Sequence, residues 1–306
     1  MFFPTTYSAN GKLLLTGEYL VLHGAKAIAL PVKLGQQLIV SSQFFSDSIC
    51  WQALYNGADW FSCELNSVDF SVVKASDSAK AEVLSQIFRT IQVLNPTFSL
   101  QGGTIVKTIL DSDPDWGLGS SSTLISLLSQ WAGVDPFALN ELVFRGSGFD
   151  IACARADGSI FYTRNLPAEP ITLDYPFAGQ LFLVYSGQKK KTAHEVRTFL
   201  KEKKVSVGLI NEASVIADEF AACCNQNEFN RLIRWHEKLV GGLIGKSPVK
   251  DEYFGDFCGE VKSLGAWGGD FYLVSSLLPF AEVKEYFRNK GLNTLFQWND
   301  LILKRE

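Results

Sequence analysis

The chain has 306 residues, enough for two domains of ordinary size, and is 47% hydrophobic and 20% charged with a formal net charge of −4. It therefore has no basic excess to suit a nucleic acid or an anionic membrane surface, and no apolar run reaches the roughly 20 residues of a membrane span. The start, "MFFPTTYSANGK", lacks the basic region and long apolar core of a signal peptide. The six cysteines form no C-x-x-C pair. They read as reduced thiols, which predicts a cytoplasmic protein.

In chain order, "KLLLTGEYLVL" and "AIALPVKLGQQLIVSS" have the leucine and β-branched content of strands. "ICWQALYNGADWFSCEL" predicts a hairpin, with Asn56-Gly57 supplying the positive φ angles of a tight turn. "SAKAEVLSQIFRTIQVL" predicts a helix with Val83, Ile87, Ile91 and Leu94 on one stripe. "GGTIVKTIL" reads as a strand ending in the acidic turn "DSDPDW". The next helix carries Leu124, Leu127, Leu128 and Trp131 on one face. "GSIFYTR" closes the first half as a strand, and the three prolines of "NLPAEPITLDYP" mark a linker. Beyond it come the strand "GQLFLVYSG" and helical segments between about residues 192 and 264. "FYLVSSLL" and "TLFQW" are later strands, separated by a helix near residues 280–289. The pattern predicts two α+β domains, residues 1–168 and 169–306.

One stretch, "DPDWGLGSSSTLISLL" (residues 113–128), points to chemistry. A helix start has unsatisfied N–H groups and a partial positive charge, so an anion can sit there if the backbone can come close. Gly117 and Gly119 remove side chains that would block that approach, and Ser120, Ser121 and Ser122 add hydroxyls. The competing reading is an ordinary serine N-cap after a turn. "GGLIGKS" (residues 241–247) is one residue short of a P-loop and follows a helical segment, so it reads as a helix C-terminal glycine turn. His23, His194 and His236 are scattered without metal-ligand spacing, and no G-x-S-x-G nucleophile elbow occurs.

Four segments in order resemble the GHMP kinases, the superfamily of galactokinase, homoserine kinase, mevalonate kinase and phosphomevalonate kinase. They are "SANGKLLLTGEYLVLHG" (residues 8–24), "GLGSSS" (117–122), "RGSGFDIACA" (145–154) and "KSLGAWGGDFYLV" (262–274). The resemblance spans nearly the whole chain. It implies an amino-terminal domain like domain 2 of ribosomal protein S5 and a ferredoxin-like carboxy-terminal domain. It also implies ATP against the glycine-serine loop, Mg²⁺, and an acceptor substrate between the domains.

Carried over residue by residue, the resemblance implies a phosphate cradle of Gly117, Leu118, Gly119, Ser120, Ser121 and Ser122, with Ser121 also a Mg²⁺ ligand. Glu141 is the candidate for the second metal ligand. Asp150 matches the base that accepts the acceptor's hydroxyl proton, and Lys12 the lysine beside it. Read without the family, Asp150 is a helix N-cap and Lys12 a surface lysine on a strand. Glu18 matches a glutamate with a structural or substrate-positioning role. Gly265 and Gly268 belong to the third glycine motif, in which Trp267 and Asp270 replace smaller residues. In "YSGQKKKTAHEV", Lys189, Lys190 and Thr192 resemble the acceptor-binding loop of mevalonate-pathway kinases. Lysines there could bind an acceptor that already carries a phosphate, or form a solvated cluster.

The implied activity is transfer of the γ-phosphoryl group of ATP to a mevalonate-pathway acceptor, phosphomevalonate ranking ahead of mevalonate. A sugar or homoserine kinase, a diphosphomevalonate decarboxylase and a catalytically weak ligand sensor of the same fold remain alternatives. The expected partner is a small molecule, with neither nucleic acid nor membrane, and the expected state a monomer or homodimer.

Overall fold

The computed structural model describes residues 4–42, 47–188, 205–265 and 269–305. Its contacts divide the chain into two compact units that interleave in sequence. The first holds Met1–Gly11, Leu34–Pro114 and Leu118–Arg155; the second holds Lys12–Lys33, Asp115–Gly117 and Ala156–Glu306. The chain passes between the units five times, after residues 11, 33, 114, 117 and 155.

The first unit is built on β1 (Thr5–Leu14), β2 (Ala27–Ser42), β3 (Ser48–Tyr55), β4 (Ala58–Asn66), β5 (Val72–Ala75) and β6 (Thr104–Leu110). The start of β1 and the end of β2 belong to this unit. The sheet runs β5-β4-β3-β6-β2, with β3 parallel to β6 and the other pairs antiparallel. The β3–β4 turn is as the sequence predicts, with Asn56 at φ 51° and Gly57 at φ 75°.

Four helices cover this sheet: α1 (Ser78–Leu94), α2 (Ser120–Ala132), α3 (Pro136–Val143) and α4 (Phe149–Ala154). Helix α1 starts where Asp77 accepts the Lys80 N–H. Its buried stripe runs through Leu84, Ile87, Phe88 and Ile91, whereas Val83 is 38% exposed. The predicted stripe is rotated because Phe88 sets the seam: it stacks on Phe70 at 5.3 Å and meets Trp51 and Trp131 edge-on. Aromatic pairs in such geometries add to the roughly 1.5–3 kcal/mol from burying the side chain. On α2, Leu127 and Leu128 are buried as predicted, together with Ile125.

In the second unit, β7 (Ile160–Tyr162) pairs with the first residues of β2 and with β8 (Glu169–Pro170). The proline-rich stretch is not a solvated linker. Leu173 and Tyr175 are buried, and the Tyr175 hydroxyl donates to the Phe220 carbonyl at 2.8 Å. Next come β9 (Leu181–Tyr185), α5 (Val207–Ala222), α6 (Gln226–Ile244), α7 (Val249–Tyr253), β10 (Glu260–Leu264) and β11 (Phe271–Ser275). The chain finishes with α8 (Phe280–Asn289), β12 (Leu295–Gln297) and α9 (Trp298–Leu301). The sheet order β10-β11-β9-β12, all antiparallel, is the split β-α-β arrangement of ferredoxin-like domains. Phe182, Val184, Phe254, Tyr272 and Phe287 form its core.

Two sequence expectations fail here for physical reasons. Residues 260–264, read as the end of a helical region, form β10, and all five are buried, Lys262 included. "KLLLTGEYLVL" is not one strand: β1 ends at Leu14, and Leu20–His23 is a short 3-10 turn. The break follows from Gly17 at φ 87°, where a Cβ would meet the Ala27 Cβ at 2.7 Å.

Candidate functional site

The first unit presents the mouth of α2. Its N-cap is Gly119, at φ 93°, with no side-chain cap. The serine-cap reading therefore fails. The helical ladder begins with Thr123 N–H donating to the Gly119 carbonyl at 2.9 Å, so the N–H groups of Ser120, Ser121 and Ser122 precede it. Ser121 is exposed and Ser120 half-buried. The Ser122 hydroxyl donates to the Gly119 carbonyl at 2.7 Å, leaving that residue its backbone N–H for a ligand. Leu118, between the two glycines, is buried. The Thr123 hydroxyl, bonded to Gln36 Oε1 at 2.6 Å, ties the first turn to β2.

Asp150 stands in the first turn of α4, whose N-cap is Gly148 at φ 89°. It is therefore not the cap, and its half-buried carboxylate lies at the favourable end of the helix dipole. Helix α4 packs on α2, and Arg155 fixes the two by donating to the Ser126 hydroxyl at 3.3 Å and carbonyl at 3.4 Å. The loop and the carboxylate are thus held by one pair of helices. The acidic lead-in is partly committed elsewhere, since Asp111 accepts the Gly35 N–H at 3.0 Å. Glu141 is exposed on α3, whose buried residues are Pro136, Leu139 and Asn140.

The second unit holds the start of the same loop. Gly117 is at φ 70°, and a Cβ there would lie 2.0 Å from Asp270 Oδ2, so the carboxylate packs against bare backbone. Trp116 meets Tyr185 at 6.1 Å and Phe296 at 5.5 Å, and the Tyr185 hydroxyl donates to the Asp115 carbonyl at 3.1 Å. Lys12 is half-buried on β1. Gly265, directly after β10, has φ 88° and open space where a Cβ would be. It is required for its backbone angle. Lys189, Lys190, Thr192, Trp267 and Gly268 lie outside the described residues.

Sequence reasoning missed a buried charge cluster in this unit. Glu18 is 3% exposed, with Oε1 at 2.5 Å from Lys262 Nζ and Oε2 at 3.0 Å from His236 Nε2. Of its two expected roles, this geometry supports the structural one. Lys262 also donates to the Ser263 carbonyl at 2.8 Å, and the Gly17 N–H points at His236 Nε2 at 3.1 Å. Glu237 accepts the Ser263 and Val249 N–H groups, each at 3.1 Å.

Burial pushes the Glu18 carboxyl up, but Lys262 and then His236 outweigh it and hold it below the usual range. Burial and then Lys262 push the His236 ring down, favouring neutral imidazole. Burial raises Glu237 to about 7 against the opposing Lys262 charge. The readable signal is a lysine in the short stretch EVKSL, directly before a glycine motif. Its partner is 244 positions away.

No family model matches the chain, and no curated protein matches it in sequence. Solved structures do. Methanococcus jannaschii mevalonate kinase superposes with a TM-score of 0.73 at 16% identity, covering 100% of this chain and 99% of that one. Streptococcus pneumoniae phosphomevalonate kinase, in complex with phosphomevalonate and AMPPNP, gives 0.71 at 15%, covering 96% and 99%. Lactococcus lactis galactokinase, complexed with galactose, gives 0.66 at 11%, covering 99% and 94%. The chain has the fold of the GHMP kinases over its whole length.

Proposed function

We propose that this protein is an ATP-dependent small-molecule kinase that transfers the γ-phosphoryl group to a mevalonate-pathway acceptor, phosphomevalonate ahead of mevalonate. The observation that carries this reading is the mouth of α2, where a positive-φ glycine replaces a capping side chain and leaves N–H groups ahead of the helical ladder. Such a terminus binds anions through its N–H groups and dipole. Phosphoryl transfer needs little covalent work from a protein; it needs the phosphates held, their charge offset and the acceptor hydroxyl in line.

The residues divide this work. Backbone N–H groups of Ser120, Ser121 and Ser122 hold the phosphates. Asp150 accepts the proton of the acceptor hydroxyl as its oxygen attacks. Lys12 is assigned to offsetting charge on the sequence resemblance alone. Magnesium fits the residues present. The ion takes one or two protein oxygens beside phosphate and water. The exposed Ser121 hydroxyl offers one, and the described residues hold no cluster of three acidic, histidine or cysteine groups to compete. When bound, the ion neutralises phosphate charge. Glu141 is proposed as a second ligand on its place in the sequence alone. The ranking of phosphomevalonate rests on the lysines at 189–191 alone; the likeness to mevalonate and phosphomevalonate kinases supports the pathway class without ranking the two acceptors. We place the protein in the cytoplasm.

The test is ADP release with Mg-ATP against mevalonate, phosphomevalonate, diphosphomevalonate, homoserine and common sugars. The reading predicts acceptor-dependent ADP release without CO₂, fastest with phosphomevalonate. CO₂ evolution would identify a decarboxylase, and heat protection by a ligand without turnover would identify a sensor.

A further inference from the structure

The buried cluster of the second unit has a layout that stability alone does not explain. Burying charged groups costs several kcal/mol each, and a well-packed apolar set in their place is often as stable or more so. Yet Glu18, His236, Glu237 and Lys262 are each no more than 3% exposed. The arrangement is directional. His236 and Glu237 are adjacent on α6, and adjacent helical residues point about 100° apart. His236 reaches the turn after β1, at Gly17 and Glu18, while Glu237 reaches β10, at Ser263. Lys262 closes the figure by joining β10 to Glu18. One helix thus holds two separate segments, and an ion pair joins those segments directly.

The turn so held is strained. Gly17 is at φ 87° and the buried Tyr19 at φ 61°, on either side of Glu18. A non-glycine residue at such an angle persists only where its surroundings over-determine it. The two segments also carry candidate functional residues. Lys12 lies five positions before Gly17, and Gly265 three after Lys262.

We propose that Lys262 and His236 are positioning residues. Lys262 through Glu18, and His236 through the Gly17 N–H, fix the turn after β1 against β10, so that Lys12 and Gly265 keep one register for the phosphoryl transfer proposed above, on which this assignment rests. The contrast to test is Lys262→Met alone against Glu18→Gln with Lys262→Met, assayed well below the lower melting temperature. The single variant leaves a buried carboxylate without its cation and melts earlier than wild type. The double variant removes both charges and recovers most of that loss.

Positioning predicts that kcat of the double variant stays at least ~10-fold below wild type, because small misplacements of reacting groups are costly in rate. The KM for ATP stays within about twofold, since phosphate binding on α2 is untouched. Lys262→Arg, which keeps the pair, recovers part of kcat. If kcat returns with melting temperature in the double variant, the pair only balances charge and the assignment is overturned. If wild type turns over no acceptor, the proposed activity fails on its own, and amide hydrogen exchange reads the register instead. The assignment then predicts faster exchange in residues 12–19 of the double variant with residues 271–275 unchanged. Wild-type protection in residues 12–19 would overturn it.

Discussion

The mouth of α2 and the cluster around Glu18 treat electrostatics in opposite ways. At the mouth, no formal charge is buried. The positive potential comes from backbone N–H groups set by the φ of Gly119, with Asp150 half-exposed on the adjoining helix. In the cluster, four ionisable side chains are withdrawn from water: Lys262 pairs with Glu18, while Lys262, His236 and Glu237 also bond to backbone. A mouth for a passing anion must stay open and pre-shaped, which glycine geometry and a helix end provide. An internal tie must select one arrangement over near alternatives, which paired buried charges do because leaving either unpaired is so unfavourable.

Replacing a carboxylate by its amide in each region separates these uses. The largest effect belongs to the half-buried carboxylate on α4: Asp150→Asn lowers kcat by at least about 100-fold, as expected for a removed general base, with the melting temperature nearly unchanged. Steady-state kinetics beside thermal melting checks this, and near-normal turnover would remove Asp150 from its assigned role. Next comes the backbone of the loop. Gly117→Ala forces a Cβ into positive φ and onto the Asp270 carboxylate. Strain of this kind is on the order of 1–3 kcal/mol, so the KM for ATP rises by about 10-fold while kcat changes less. An unchanged KM would show that this glycine does not shape the nucleotide mouth.

The smallest effect is a pH dependence. Burial raises Glu237 to about 7, above its value in the unfolded chain. A raised carboxyl contributes stability that is complete below its unfolded value near 4.5 and is lost as pH climbs through 7. His236, pushed down by burial, acts the other way: its contribution is fully present above its unfolded value near 6.5 and is lost as pH falls towards its lowered folded value. The difference between wild type and Glu237→Gln therefore isolates the carboxyl. Melting temperatures from pH 4.5 to 8 should show the variant gaining on wild type as pH rises, with kcat little altered. A constant difference across that range would mean that Glu237 does not titrate there.

Local chemistry was legible in the sequence wherever it decided the structure. The bounds of β2, α1 and α8, the Asn56-Gly57 turn and the Gly245 end of α6 follow from β-branched content, periodicity and glycine, all of which act over a few residues. The positive φ angles of Gly117 and Gly119 before α2 were legible for the same reason. What was hidden depends on long-range pairing. β10 looks polar because Lys262 and Glu260 interrupt it, and only the Glu18 partner makes burial of Lys262 tolerable. The stripe of α1 is set by Phe88 against rings from β3, α2 and the turn after β4, so its periodicity alone left the rotation open. The interleaved units were invisible because β1 and β2 each run from one unit into the other without a break in pattern.

The central claim is that the amides opening α2 hold the anionic end of a nucleotide. A crystal structure with a non-hydrolysable ATP analogue and Mg²⁺ tests it most directly. The account predicts phosphate oxygens within hydrogen-bond distance of the N–H groups of Ser120, Ser121 and Ser122. An analogue bound elsewhere, with those N–H groups facing only the protein's own atoms, would contradict it.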